Sequence, residues 1–313
     1  MTAEVLRAAF FKRLQEIKVW RSGGKRAPHK PLVILYALGR VARGESRLLE
    51  FSEAVEPLET LLAEFGPPRR HHHPEYPFWR LERDGLWDVA WPGALQVREG
   101  RRVDPSRAQL IDAGVAAGFS KEVQALLETD PNVLRKAATL ILREHFPASL
   151  HDEILTAVGL DPDRAGSLSQ ARDPAFRERV LLSWEYRCAV CDFDLRLGHA
   201  SVGLDAAHIR WKQVNGPDVP NNGLALCATH HRLFDRGAFT LVTDASTASG
   251  SGVVLVASRH AMGGRALDDW LLRYHGSGIR APQHPDERPA PEHMAWHRQE
   301  VFREPGRPYH PQT

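Results

Sequence analysis

Between Cys188 and Asp235 the chain gathers side chains that hold metals, move protons or brace a loop: Cys188, Cys191, Asp205, His208, Asn222, Cys227, His230, His231 and Asp235. Cys188-x-x-Cys191 and Cys227-x-x-His230 are half-sites with the spacing of a tetrahedral zinc centre, and the second uses the one cysteine the first leaves over. Two unrelated pairs of buried thiols are the other reading; a reducing compartment favours the metal. Such a Zn2+ is structural, and replaces core that a small unit cannot supply. His231 follows His230 directly, with Asp235 four residues on. If 227–236 is helical, His231 and Asp235 share a face and can bind a second, catalytic cation while His230 turns to the zinc. Asp205 and His208 come from LDAAHI, whose apolar flanks read as a strand. A lone histidine there is commonly a core residue, but so many donors following so soon argue for a site.

The elements that must position these residues form two domains of an α+β protein. Leu6, Phe10, Leu14 and Ile17 recur at helical spacing, and a glycine-rich basic loop follows over 20–31, with Arg21, Arg26, His29 and Lys30. Pro31 suits the first position of the next helix, so His29 and Lys30 sit at an N-terminus whose free N–H groups favour a phosphate; a solvated basic turn is the alternative. A helix over 51–65 leads to a loop holding His71–His73, taken as a polar, DNA-facing segment because consecutive side chains do not converge on one metal. Tyr76 and Pro77 fall at a loop-to-strand boundary beside Phe78, Trp79 and Arg80, and Asp84-Gly85 reads as a β-hairpin turn. For Phe78 and Trp79, core packing competes with an exposed role. Arg102 lies in the next loop, before helices over 105–118, 121–128, 132–146 and 149–160. Residues 1–160 thus make a mainly helical domain with a small β-hairpin, 161–173 a breaker-rich linker, and 174–313 a second domain that opens on a helix.

Hydrophobic residues make up 42% of the 313 and charged ones 26%, which fits a soluble globular chain. No apolar run is long enough for a membrane helix and the first residues lack a signal-peptide layout, so a cytoplasmic protein is expected. The net charge of +2 is too mild to identify nucleic acid as a partner by itself. Local clustering of arginine and lysine near 12–30 and 69–80 carries that argument instead.

The stretch AHI, NNGLAL and CATHHRLFD resembles the HNH nucleases of the ββα-metal fold. The resemblance spans about residues 176–302. It implies that His208 is the general base that activates water, that Asn222 braces the intervening loop, and that His231 binds the divalent cation, Mg2+ or Mn2+, touching the scissile phosphate. Asp235 is expected as a second ligand. Many HNH enzymes carry a ligand just before the base, where this chain has Ala207. Asp205 can supply a carboxylate instead, although three positions along a strand it should point away from His208.

The segments RAPHKPLVILYALGR, EYPFWRL…DGLW and HFPASLHDEIL resemble the sulfur-binding domain that is fused to HNH modules in bacterial restriction enzymes. That implies a type IV-like enzyme docking on phosphorothioated double-stranded DNA; with one strand cut per HNH module, a double-strand break calls for a homodimer on DNA or two events. A sulfur is larger, more polarizable and less hydrated than the oxygen it replaces, so an apolar cup with Tyr76 and Pro77 as walls favours it. His29, Lys30, Arg21, Arg26, Arg80 and Arg102 are then candidates for phosphate or guanine contacts. Two rival readings are an HNH enzyme that reads another mark such as methylcytosine, and a non-catalytic DNA-binding regulator on an HNH scaffold.

Overall fold

Helical periodicity dominates the first half of the chain, while the second half mixes helices with strand pairs. The computed structural model describes residues 2–19, 28–91, 104–162, 174–244 and 251–309. The chain divides into two units, Met1–Leu168 and Ser169–Thr313.

In the first unit, α1 (Ala3–Gln15) buries Phe10 and Leu14, and α2 (His29–Ala42) buries Leu32, Val33, Ile34, Leu35 and Leu38. A helix apolar on nearly every side must be central. Accordingly α2 packs on α3 (Phe51–Phe65), α4 (Glu75–Arg80), α6 (Lys121–Thr129) and α7 (Pro131–His145). The start of α7 follows from Asp130, whose side chain accepts the Asn132 N–H, and from Pro131 at a position whose N–H has no helical partner. The remaining helices are α5 (Arg107–Asp112) and α8 (His151–Ala157). Strands β1 (Leu49–Glu50), β2 (Trp87–Ala90) and β3 (Ala116–Phe119) form an antiparallel sheet in the order β1-β3-β2.

Two expectations fail here. The segment around Asp84-Gly85 is no hairpin: α4 continues into a 3-10 turn, Leu81–Asp84, which Gly85 closes at φ +71° before β2 begins. Pro74 and Pro77 fall at or near the start of α4, where proline removes no helical hydrogen bond. The helix expected over 105–118 stops at Asp112, because Gly114 turns the chain at φ +57° and Val115, Ala117 and Phe119 are then buried in a two-residue rhythm. The first unit therefore holds a three-stranded sheet instead of a small hairpin.

The second unit begins with α9 (Pro174–Ser183) and a short hairpin of β4 (Arg196–Leu197) and β5 (Ala200–Ser201). Then come β6 (Leu204–His208), β7 (Gly223–Cys227) and α10 (Ala228–Asp235). β6 and β7 are antiparallel, with Leu204 opposite Cys227 and His208 opposite Gly223. A Cβ on Gly223 would stand 2.3 Å from Val180 Cγ2, so only glycine lets α9 close on the strand pair. Trp184, fully buried, donates its indole N–H to the Gly223 carbonyl at 3.2 Å. Each large side chain so buried contributes about 1.5–3 kcal/mol. β8 (Phe239–Thr243) pairs with β9 (Val253–Ala257) beside α11 (Arg265–Trp270) and α12 (Pro291–Glu300), which packs on β8. Among the described residues no helix is long and apolar enough to cross a membrane.

Candidate active site

After α9 the backbone takes left-handed turns at Glu185 and Tyr186 and again at Asp192, folding Cys188 and Cys191 into a knuckle. The Ala189 N–H bonds the carbonyl of Ala225 in the middle of β7, which fastens the knuckle to that strand. Cys227 caps α10, and His230 lies in its first turn. One donor atom from each of Cys188, Cys191, Cys227 and His230 falls within 4.8 Å of the others. Cys188 Sγ is 3.7 Å and Cys227 Sγ 3.2 Å from His230 Nδ1, and Cys191 Sγ is 3.9 Å from Cys227 Sγ. A zinc with bonds of about 2.0–2.3 Å spaces tetrahedral ligands by about 3.5–3.8 Å. His230 Nε2 donates to the Trp270 carbonyl at 2.9 Å, which turns Nδ1 toward the sulfurs, where a metal would displace its proton. Hydrogen bonds from Cys188 and Cys191 hold the Cys227 thiol far below its ordinary range. Burial lowers His230, but the Cys191 and Cys227 sulfurs outweigh it and push the ring up to about 9. A cluster that gathers thiolate charge around a directed imidazole suits Zn2+.

The strand pair and α10 bring the other residues together. His208, at the end of β6, stacks on Phe176 of α9 with ring centroids 4.0 Å apart and planes 15° apart. Its Nε2 is 2.8 Å from Asp218 Oδ1, and Asp218 Oδ2 accepts from Lys212 Nζ at 2.6 Å. Burial lowers the His208 pKa, and the Asp218 hydrogen bond opposes that shift. Burial alone would raise the Asp218 carboxyl; bonds from Lys212 and His208 hold it below the usual range. Asn222, wholly buried, accepts the Arg210 N–H at 2.8 Å and donates to the carbonyls of Arg210 and Pro217 at 3.0 and 2.9 Å. It ties both ends of the loop between β6 and β7.

His231 lies between two acids. Asp235 Oδ2 is 3.2 Å from its Nε2, and Asp205 Oδ2 is 4.0 Å from its Nδ1. The Asp235 side chain is only 2% exposed, so the acid expected as a second ligand faces the far nitrogen of the ring from Asp205. Asp205, expected to point away, reaches His231 because α10 packs on β6. Its Oδ1 is 3.4 Å from Arg177 Nε. Ala207 is fully buried. Sequence reasoning missed Arg177, Lys212 and Asp218, since a charged residue on a helix or in a polar loop carries no signal of its target.

In the first unit, His29 and Lys30 open α2. Lys30 Nζ is 2.5 Å from Asp84 Oδ2, a carboxylate 3% exposed. Tyr76 is exposed, with the His73 ring 5.4 Å from its centroid and the Arg80 guanidinium 4.8 Å away. Arg80 Nε and Nη2 both bond Asp104 Oδ2, at 2.8 and 2.5 Å, and Arg83 bonds its Oδ1 at 2.8 Å. Phe78, expected among the DNA contacts, is 0% exposed between Phe51 and Trp87, since α4 turns it to the core. Pro77, expected as a cup wall, is buried as well. His73 engages Glu75, and the Cys188 cluster is the only group of three or more converging metal donors among the described residues. Arg21, Arg26 and Arg102 lie outside the described residues.

Residues 188–242, which hold the two strands, the helix that follows them and the staple of three cysteines and a histidine, match the family described as HNH endonuclease. Residues 7–163, half of the chain, match the family described as ScoMcrA-like, DNA sulfur-binding domain, and the chain belongs to that family. Among solved structures, the chain is similar to the sulfur-binding domain of ScoMcrA complexed with phosphorothioated DNA, at 26% identity over 48% of this chain and 95% of that one, with a TM-score of 0.42. The sulfur-binding domain of SprMcrA, complexed with the same kind of DNA, is 24% identical over 51% and 98%, with a TM-score of 0.44. Against the type IV phosphorothioation-dependent restriction endonuclease ScoMcrA the identity is 26% over 48% of this chain and 32% of that one, at a TM-score of 0.40. A comparison with curated proteins finds no match.

Proposed function

We propose that the chain is a phosphorothioate-dependent restriction endonuclease: residues 1–160 dock on sulfur-modified DNA, 161–173 link the units, and 174–313 hydrolyse nearby phosphodiesters. The observation that carries this reading is the meeting of His231 of α10 with Asp205 of β6, with His208 at the end of the same strand and the loop after it tied down by Asn222. His208 takes a proton from water, and the oxygen of that water attacks phosphorus. His231 through Nδ1, with Asp205, would hold a divalent cation, while Asp235 fixes the ring from its other side. That cation, Mg2+ or Mn2+, supplies charge stabilisation at the phosphoryl and leaving oxygens. Arg177, with Nε 3.4 Å from Asp205 Oδ1, adds a guanidinium beside that carboxylate.

On the reading unit, the exposed Tyr76 ring supplies an apolar contact for sulfur, and the buried Pro77 that follows it helps set the start of α4. His29, Lys30 and Arg80 supply positive charge nearby, and Arg21, Arg26 and Arg102 are further candidates from segments outside the described residues. One unit carries one cutting site. A double-strand break then takes a homodimer on DNA or two successive events.

The test is cleavage of otherwise identical phosphorothioate and plain duplexes by the full chain, with Mg2+ or Mn2+ supplied. Metal-dependent cutting confined largely to the modified duplex is expected. Equal cutting of both removes the sulfur reading, and a mobility shift without any cutting leaves a DNA-binding regulator.

A further inference from the structure

The loop between β6 and β7 holds an acid for which the nuclease reading has no task. Asp218 sits in NGPDVP and divides its two oxygens, Oδ1 toward His208 Nε2 at 2.8 Å and Oδ2 to Lys212 at 2.6 Å. Its placement is built. The carbonyl of the preceding Pro217 accepts from Asn222 Nδ2, and the Asp218 carbonyl itself accepts from Arg179 of α9 at 2.9 Å. The loop is thereby pinned both to its own far end and to the helix whose Phe176 covers the His208 ring.

The chemistry of the contact is directional. An ionised carboxylate has no proton to give, so at 2.8 Å the hydrogen between the two groups belongs to Nε2. The neutral ring is then the tautomer whose lone pair is on Nδ1. Stacking on Phe176 fixes the ring plane, and the carboxylate fixes its rotation within that plane.

We propose that Asp218 is the positioning residue of the general base: it holds His208 in the tautomer and rotamer that present Nδ1 to water, and stabilises the imidazolium that forms when Nδ1 takes the proton. This inference rests on the nuclease reading of the same site. In the step, one water O–H bond breaks, its proton goes to Nδ1, and the oxygen forms its bond to phosphorus as the leaving oxygen departs. Asp218 stays ionised throughout, as the acid of a carboxylate–histidine pair does. Lys212 keeps it so. The charged groups acting on His208 are Asp218 and Lys212 from the loop and Asp235 from α10, so the two loop partners pull its titration in opposite directions.

The experiment uses the full chain and measures single-turnover cutting of phosphorothioated plasmid with Mn2+, across the pH range in which histidine titrates. Asp218→Asn is expected to lower the plateau rate roughly a hundredfold, within what a well-placed general base contributes. It should also move the acid limb to lower pH, because the charge favouring the imidazolium is gone, while DNA affinity holds. Lys212→Met should move the limb the opposite way, to higher pH, with a smaller loss of rate. If Asp218 served only the loop, rates would fall with the limb unmoved; that result overturns the inference, as does an Asp218→Asn enzyme matching a wild type that cuts. Should Asp218→Asn fold poorly, Lys212→Met decides, and a limb that stays put or moves down is negative. A wild type that cuts neither modified nor plain DNA overturns the nuclease reading and this inference with it.

Discussion

The candidate sites of the two units differ in what their acids hold. In the first, cations are tethered by acids: Lys30 by Asp84, Arg80 and Arg83 together by Asp104, and Arg47 by Asp88. In the second, acids are tethered to imidazoles: Asp218 to His208, Asp205 and Asp235 to His231. A surface that reads a polyanion needs its cations aimed but not open to every phosphate, and a paired acid provides that restraint. A nuclease centre needs a basic nitrogen and a nest for a cation, and carboxylates provide both. The net charge of +2 places the weight of DNA binding on where the cations are held, not on their excess over acids.

The sharpest break between the units should come from the zinc cluster. A structural zinc is worth about 10–16 kcal/mol, comparable to or above the total stability of an ordinary domain at about 5–15 kcal/mol. Chelation, or Cys227→Ser, is expected to abolish the melting transition of the second unit and leave that of the first, whose core contains no metal donors from this cluster. Calorimetry of the full chain checks this. A single shared transition that vanishes as a whole would mean that the units are not independent.

Next in size is His208→Ala. Loss of a general base should lower cutting by about 10²–10⁴-fold while zinc content and affinity for modified DNA hold. In the adjacent pair, His230→Ala should instead fail by unfolding, since His230 completes the cluster. Should both variants fail in the same way, the division of the two histidines between fold and chemistry is wrong.

A smaller effect is expected from Tyr76→Ala, the one exposed aromatic of α4. Removing an apolar contact to sulfur should cut the preference for modified over plain DNA about tenfold, or ~1.4 kcal/mol. Competition binding with matched duplexes measures it, and equal losses on both duplexes would make α4 a generic DNA contact.

Legibility differed between the units for a physical reason. Metal geometry restricts ligand spacing, so two half-sites spelled out the cluster without any knowledge of the fold. Asn222 stood out because NNGLALC resembles a family pattern, and its bonds to Arg210 and Pro217 give that pattern a mechanical content. Asp218 did not stand out, since one acid in a Gly-Pro loop looks like any solvated turn until the fold delivers His208 to it. Strand alternation separated Asp205 from His208 but could not foresee that α10 would bring His231 to Asp205. In EYPFWR the aromatics alone do not say which faces out; the helical turn of α4 exposes Tyr76 and buries Phe78. For β3, the run of alanine and valine suits both periods, and the left-handed Gly114 decides for the strand.

The mildest test addresses the tethered cations themselves. Asp104 takes Arg80 on one oxygen through two donors and Arg83 on the other, so Asp104→Asn loosens two guanidiniums at once. Ion pairs with arginines this exposed contribute about 0–1 kcal/mol each, so melting should barely move. Binding should move more. With the competing carboxylate gone, both arginines are available to phosphates, so affinity for plain and modified DNA should rise a few-fold at low salt, and the advantage should fade as salt screens it. Since the gain is blind to the mark, the preference for sulfur should fall. Titrations of both duplexes at two salt concentrations check this. Weaker binding to modified DNA alone would mean that Asp104 aims Arg80 at the mark instead of restraining it, and the contrast between the units would then be one of geometry as much as of charge.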